Sequence, residues 1–294
     1  MVMPSYNHEK YVGEAIGSVL NQTMRDFELI IVDDGSIDNS KNIIERCCKK
    51  DARIKPIFHN ENRGISRTYN DGAKCAKGKF IAFIDSDDLW LDTKLEKQLA
   101  VLEKNEDLVV WSEGEIIDGN GVPNGQTFTQ IAHSEKKKKN GDIFEELFHS
   151  DNFVLDSSII FKKENLPKKG FDENLKYLND YRFIVDLSKE KKFCFLEEPL
   201  TKYRIHGKNT LFRDGRAWQQ DRVVMYRGFL SDYGTLISKK SKANLLFRMG
   251  CAYEELGENK LARHSFFGSV RVNPLGKKAM QYFFVALTGM RLMT

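Results

Sequence analysis

The sequence predicts an α/β fold, a mostly parallel sheet flanked by helices and followed by a helical C-terminal extension, on three observations. Short, uniformly apolar runs alternate with helix-period segments through the first third of the chain. Two of those runs end directly in aspartate-rich turns, and beyond residue 213 the strand signals give way to helical periodicity. Strands that are apolar at every position need cover on both faces, which is the condition of a parallel sheet threaded by helices.

The elements follow in order. Val2 and Met3 form the end of a strand, and residues 9–21 place Tyr11, Ala15, Ile16, Val19 and Leu20 at helical spacing. FELIIV at 27–32 is a β-rich run stopped by DDGS at 33–36, and 38–50 reads as a helix with Ile43 and Ile44 inward. A strand at 54–58, a helix at 66–76 ending near Gly78, and a strand at 80–84 continue the alternation. The second half is less regular, with strands expected at 108–111, 157–161 and 193–196 and a helix at 179–189. Polar residues 119–139, including the lysine run 136–139, read as a solvated loop.

Composition removes several classes of function. The 294 residues are 41% hydrophobic and 30% charged, ordinary globular values, and 46 basic against 42 acidic residues leave a net +4, too near balance for a nucleic-acid binder. The five cysteines, Cys47, Cys48, Cys75, Cys194 and Cys251, contain no C-x-x-C pair, so neither a disulfide framework nor a zinc site is expected. No run reaches the ~18 apolar residues of a membrane helix, and the N-terminus lacks a signal-peptide pattern. A cytoplasmic protein is the expectation.

Open parallel sheets bind ligands beyond the carboxyl ends of their strands, so the acid-rich turns at 33–34 and 85–88 mark the expected site. DSDD at 85–88 has a plain reading as a turn, with Asp92 capping the helix that follows. Yet Asp85, Asp87 and Asp88 on one short turn repel one another unless a hard divalent cation or hydrogen-bond donors offset the charge. A cation, and with it a phosphate, is the functional expectation.

Nine short stretches then carry a resemblance: MPSYN at 3–7, SVLNQT at 18–23, IVDDGS at 31–36, NRG at 62–64, AKG at 76–78, FIDSDDLW at 83–90, GFDE at 170–173, ND at 179–180 and YRIH at 203–206. Their ordered set resembles the inverting family 2 glycosyltransferases of the GT-A fold and covers residues 1–212. The resemblance implies a nucleotide-sugar donor, usually a UDP-sugar, held by Pro4, Tyr6, Asp34, Asn62, Gly64, Arg67, Asp85 and Ser86, with Tyr6 and Asp34 at the base and Asp85 near the ribose. It implies Mn²⁺ or Mg²⁺ at Asp87, Asp88 and His206, and Asp180 as the general base that deprotonates a hydroxyl of a saccharide or lipid-linked acceptor in surface polysaccharide synthesis. It divides the chain into a nucleotide-sugar-binding half at 1–110, an acceptor and catalytic half at 111–212, and a helical tail at 213–294.

Three departures from the pattern are visible. Asn179 stands where relatives commonly carry Glu, Tyr69 where many carry an Arg near the diphosphate, and only three residues precede Pro4. They motivate a rival reading, a non-catalytic nucleotide-binding or interaction protein. A second rival is a haloacid-dehalogenase-like phosphotransferase, because FIDSD at 83–87 resembles its nucleophile motif, although that family places the motif on its first strand. The other histidines, His8, His59, His133, His149 and His264, form no spacing that marks a site.

In the tail, 216–233 reads as a helix, and Leu246, Gly250, Tyr253, Gly257, Ala262, Phe266 and Pro274 fit one tetratricopeptide-like repeat at 243–276. Residues 280–293 are rich in Phe, Leu, Val and Met among Arg263, Arg271, Lys277, Lys278 and Arg291. Three roles stay open for them: peripheral contact with the inner face of the plasma membrane, pairing with a second copy, or closure of the chain's own core.

Overall fold

Apolar side chains at successive positions make β1 (Val2–Ser5) and β2 (Leu29–Asp33) strands buried along their whole length, while β3 (Ile54–Phe58) is partly exposed at the sheet edge. The computed structural model describes residues 1–135, 137, 139–149, 152–207, 209 and 215–274. These three strands form a parallel sheet in the order β1-β2-β3, crossed by α1 (Val12–Leu20), α2 (Ser40–Lys50) and α3 (Ile65–Cys75). Helix α1 buries Val12, Ala15, Ile16 and Val19 on one face against Met3, Leu29, Ile31 and Ile44. Val12, Ile16 and Val19 each contribute roughly 1.5–3 kcal/mol by leaving water. The register sets Ser5 beside Asp33, so both strands deliver their following loops to one edge.

The chain continues through β4 (Phe80–Ala82), β5 (Leu89–Trp90), α4 (Lys94–Leu102), β6 (Val109–Ile117), β7 (Pro123–Thr127) and α5 (Phe128–Ile131). After α6 (Phe144–Leu147), described below with the second unit, come β8 (Ile160–Lys162), α7 (Asn179–Glu190) and β9 (Phe193–Arg204). The second sheet has the order β4-β8-β6-β9-β5 with β7 on β6, and it is mixed: β6 and β9 run parallel and its other pairs antiparallel. Parallel pairing therefore governs the first sheet, and a bridge from Val2 to Phe83 joins the two.

Strand β9 positions the site. It pairs with β6 from Val109↔Phe193 to Ile117↔Arg204 and with β5 through Trp90↔Thr201, which brings its C-terminal end beside the 85–88 turn.

Several sequence expectations change. The polar stretch 119–139 contains β7 and α5 rather than only loop, because Asp118 accepts the N–H groups of Asn120 and Val122 to close a hairpin turn, and Thr127 with Gln130 forms a capping box. Of the lysines at 136–139, only 137 and 139 are described. The stretch 157–161 begins as a 3-10 turn, Asp156–Ser158, before β8. Asp92 does not cap α4; Thr93 holds that position, and the Asp92 carbonyl accepts the Thr23 N–H at 2.8 Å.

The chain divides into two compact units, Met1–Ile143 with Asn152–Gly207, and Phe144–Asp151 with Lys208–Thr294. Residues 144–149 thus group with the second unit, although they lie inside the range 111–212 read from sequence as part of the catalytic domain. In the second unit, α6 is followed by α8 (Gly215–Tyr233), α9 (Lys239–Glu255) and α10 (Asn259–Val272). Ser238 caps α9 by accepting the Ser241 N–H, and Glu145 accepts from the Ser238 N–H and the Ser241 hydroxyl. Phe144, Phe148, Phe229 and Tyr233 pack ring to ring.

Helices α9 and α10 meet where Gly250 faces Phe266: a methyl group on Gly250 would lie 2.4 Å from the Phe266 ring. Gly250→Ala is expected to destabilise this unit by about 1–3 kcal/mol. Gly268→Ala, whose methyl would meet Leu246 at an ordinary 3.6 Å, is expected to be neutral or stabilising. Urea denaturation of the two full-length variants checks the contrast, and equal midpoints would contradict it. The segment 280–293 and the end of the proposed repeat, 275–276, lie outside the described residues.

Candidate functional site

The first part of the site is built from the loops after β1 and β2. Asp33 accepts the backbone N–H and the hydroxyl of Ser36, at 3.0 and 2.6 Å, and Ser36 Oγ in turn accepts the Asn7 N–H at 2.9 Å. Asn7 takes a left-handed φ of 55° and its side chain accepts the Ile37 N–H, so the PSYN and DDGS segments latch together. Gly35 is required there: its φ is 71°, and a Cβ would lie 2.6 Å from the Glu61 carbonyl carbon.

The latch leaves Tyr6 37% exposed. Pro4 is buried within β1. Asp34 is buried and accepts three donors: the Arg63 N–H and the Gly64 N–H, each at 2.9 Å, and His59 Nδ1 at 2.7 Å. Asn62 is exposed on the same loop. Arg67 is committed to acidic partners, Asp71 at 3.1 Å and Glu173 at 3.5 Å.

The second part is the 85–88 turn. The Asp85 N–H donates to Ser157 Oγ, and the Tyr69 phenol donates to the Asp85 carboxylate at 2.5 Å. Burial, reinforced by the charge of Asp87, pushes the Asp85 carboxyl up to about 7. Tyr69 does not replace a cationic contact: its buried ring stacks on Phe171 at 4.4 Å, and burial beside Asp85 pushes its phenol well up.

Next along the turn, Ser86 Oγ meets His8 Nδ1 at 2.8 Å, and Asp87 Oδ2 meets His206 Nε2 at 3.0 Å. Burial alone would raise the Asp87 carboxyl, but the His206 hydrogen bond and the proximity of His8 hold it below its ordinary value. Tyr11 stacks on the His206 imidazole at 4.6 Å and 22°.

Among the described residues, His8, Asp87 and His206 form one group whose donor atoms all lie within 4.8 Å of one another. One carboxylate and two imidazoles make a donor set that suits a divalent ion such as Mn²⁺. The residues therefore fit the implied metal, and the group includes Asp87 and His206 of the three expected ligands. Asp88 is not in the group: it is 1% exposed and its Oδ1 accepts the Arg204 N–H at 2.9 Å. Burial, then the charges of Asp87 and Asp85, pushes its carboxyl well up. His8, passed over in the sequence, is the third donor of that group.

Buried Arg204 fastens this arrangement. Its Nε donates to the Asp87 carbonyl at 2.7 Å, and its guanidinium also reaches Glu14 of α1 at 2.8 Å.

The third part holds Asp180, in the first turn of α7, where Asn152 Nδ2 donates to its Oδ2 at 3.2 Å. Burial raises the Asp180 carboxyl above the ordinary value of 3.8. Asp156, on the 3-10 turn that Trp90 Nε1 holds through the Ser157 carbonyl at 2.7 Å, is raised further by burial and by the charges of Asp85 and Asp180. Asp156, Asn152, His59 and Tyr11 were not read as site residues, and none belongs to a motif that would have marked it.

Residues 1–166 match the model of Glycosyl transferase family 2. The chain is 30% identical over 257 residues to an uncharacterized glycosyltransferase of Nostoc sp., covering 83% of this chain and 78% of that one. Two Rickettsia relatives are longer, the chain spanning 30% and 46% of their lengths. Among solved structures it is similar to S. aureus TarS 1-349 in complex with UDP-GlcNAc, with a TM-score of 0.72, 19% identity, and coverage of 97% of this chain and 86% of that one. It is also similar to the mannosyltransferase PcManGT from Pyrobaculum calidifontis in complex with GDP-Man and Mn²⁺, at 0.59, 17%, 99% and 80%. The fold they share with this chain is GT-A.

Proposed function

The chain belongs to glycosyltransferase family 2, and on that premise we propose that it transfers a sugar from a nucleotide-sugar, a UDP-sugar, to a hydroxyl of a saccharide or lipid-linked acceptor. The reaction is metal-dependent, inverts the anomeric centre and serves surface polysaccharide synthesis. The observation that carries this reading is the separation of two chemistries in one unit: a cation-type donor set at His8, Asp87 and His206, and a raised carboxylate, Asp180, outside that set.

Tyr6 and Asp34 receive the base, Asp85 lies by the ribose, and the diphosphate comes to His8, Asp87 and His206. Pro4, Ser86, Asn62, Gly64 and Arg67 shape the pocket around them, and Arg67 must loosen its contact with Asp71 to reach the donor. His8, Asp87 and His206 would hold a divalent ion, which when bound would supply positive charge to the leaving diphosphate.

Asp180 accepts the proton of the acceptor hydroxyl. That oxygen forms its bond to the anomeric carbon from the face opposite the nucleotide, the bond from that carbon to the diphosphate oxygen breaks, and the electron pair leaves with the diphosphate. A single displacement inverts the centre. A carboxylate raised by burial is a stronger base than an exposed one, and Asn152 fixes its orientation.

TarS bound to UDP-GlcNAc supports the UDP reading, and PcManGT bound to Mn²⁺ supports the metal. Among the described residues no helix is long and apolar enough to cross a membrane. By the same reading the enzyme works at the cytoplasmic face of the plasma membrane, with the tail contacting lipid or a second copy.

The test is a screen of UDP- and GDP-sugars for nucleoside diphosphate release with and without Mn²⁺. UDP release that stops on chelation is expected; nucleotide binding with no turnover of any donor would instead favour the non-catalytic rival. The pH dependence follows from the base. Asp180 must be ionised, its carboxyl is raised from 3.8, and so kcat/KM falls as pH falls through a value above that of an exposed aspartate. An acid limb at or below 3.8 would remove Asp180 from the role.

A further inference from the structure

We infer that the Asp34–His59 pair makes the base pocket selective for a base edge that offers one N–H, as uracil does, against guanine, which offers two. The inference rests on the proposed role of Asp34 at the base, and its new content is the role of His59.

An ionised carboxylate has about four acceptor sites, two on each oxygen. In Asp34, Oδ1 already accepts two donors, His59 Nδ1 at 2.7 Å and the Arg63 N–H at 2.9 Å. Oδ2 accepts one, the Gly64 N–H at 2.9 Å. Because the carboxylate only accepts, the proton in the His59 contact sits on Nδ1. On its other side His59 Nε2 lies 3.3 Å from Asp71 Oδ2 without a hydrogen bond, and Asp71 is itself paired with Arg67 and Arg63 at 3.1 and 3.7 Å. The side chains of His59 and Asp34 are 6% and 4% exposed, so water does not compete for the filled sites.

One acceptor position remains, on Oδ2. The N3–H of uracil fills it. Guanine presents N1–H and the 2-amino N–H side by side and would need one position on each oxygen. With Oδ1 filled by His59 and Arg63, one of the two guanine donors enters the pocket unpaired. A donor buried without an acceptor weakens binding by roughly tenfold or more. His59 is thus a positioning and specificity-determining residue. It touches no reacting atom and sets which bases Asp34 can accept.

The test is calorimetric titration of the full-length chain with UDP and with GDP, Mn²⁺ present throughout. For the unaltered protein UDP is expected to bind at least about tenfold more tightly than GDP. His59→Ala empties one position on Oδ1 and is expected to bring the two affinities to within about threefold of each other. His59→Asn, whose side-chain amide can donate to the same oxygen, is expected to keep the preference for UDP. Circular dichroism establishes that each variant is folded. Should the alanine variant not fold, His59→Leu, which keeps bulk but cannot donate to Asp34, takes its place and is expected to lose the preference in the same way, an unchanged ratio overturning the inference. A protein that binds GDP as tightly as UDP overturns the inference while leaving the nucleotide site standing, as does an unchanged ratio in folded His59→Ala. If neither nucleotide binds, the site itself fails and the inference falls with it.

Discussion

Asp180→Asn is expected to lower sugar transfer by roughly 10²–10⁴-fold while UDP affinity stays within a few-fold. The amide keeps the shape of the side chain and its place in the first turn of α7, but it cannot take a proton. The proposed donor contacts lie on the 85–88 turn and at Asp34, which is why rate and binding should separate. Stability is expected to rise. A raised carboxyl means that the native state disfavours the ionised form, so at neutral pH the charge at Asp180 costs folding free energy, and its neighbours Asp85 and Asp156 are electrostatically coupled to it. A neutral amide relieves that cost, the usual exchange of stability for activity at a catalytic group. Transfer rates, UDP dissociation constants and melting temperatures of both proteins are the measurements. A variant that keeps more than about a tenth of the rate would exclude Asp180 as the base.

Asp87→Ala is expected to remove the gain in UDP affinity that Mn²⁺ provides, bringing binding down to its metal-free level, a loss on the order of 10–100-fold or more. The substitution deletes the carboxylate of the donor set and leaves two imidazoles, too few to hold a hard ion against water. The turn itself should persist, because Arg204 holds the Asp87 carbonyl rather than its carboxylate, and His206 keeps its stack on Tyr11. Calorimetry with and without Mn²⁺ reads the effect, and electron paramagnetic resonance reads ion binding without the nucleotide. Unchanged UDP affinity in the presence of Mn²⁺ would show that the ion is held elsewhere.

The sequence revealed those parts of the molecule whose signals are local. Strand β3 lies at its expected boundaries, and α1, α2, α3 and α7 lie within a few residues of theirs, because each carries its apolar face and its stops in one short window. Strands β6 and β9 were read as four-residue runs and are 9 and 12 residues long. Their distal halves carry Glu113, Glu115, Glu197, Glu198 and Lys202, polar residues that hide a strand whose partners are known only in the fold. The DSDD turn was legible as a candidate cation site, but which of its aspartates groups with the histidines was not. Asp87 and Asp88 differ by one position, and the Arg204 N–H draws Asp88 inward. His8 and His59 carried no signal at all, since the polar neighbours that surround each of them come from residues far along the chain.

The cation-type donor set has a consequence for how the protein folds. Its members come from the loop after β1, the turn before β5 and the segment after β9; Asp87 and His206 are 119 positions apart, and the His8 contact with Ser86 spans 78. Loops of that length must be closed before the site exists, and such non-local contacts are the slow ones to form. The site is therefore an endpoint of folding: a chain arrested before β9 docks can hold the β1–β3 sheet and have no place for a metal. Any ion or nucleotide that binds there recognises only the completed first unit. At a hundred times its dissociation constant such a ligand would deepen that unit's native state by about 2.7 kcal/mol, so the bound substrate acts as the last fastening of the fold that binds it.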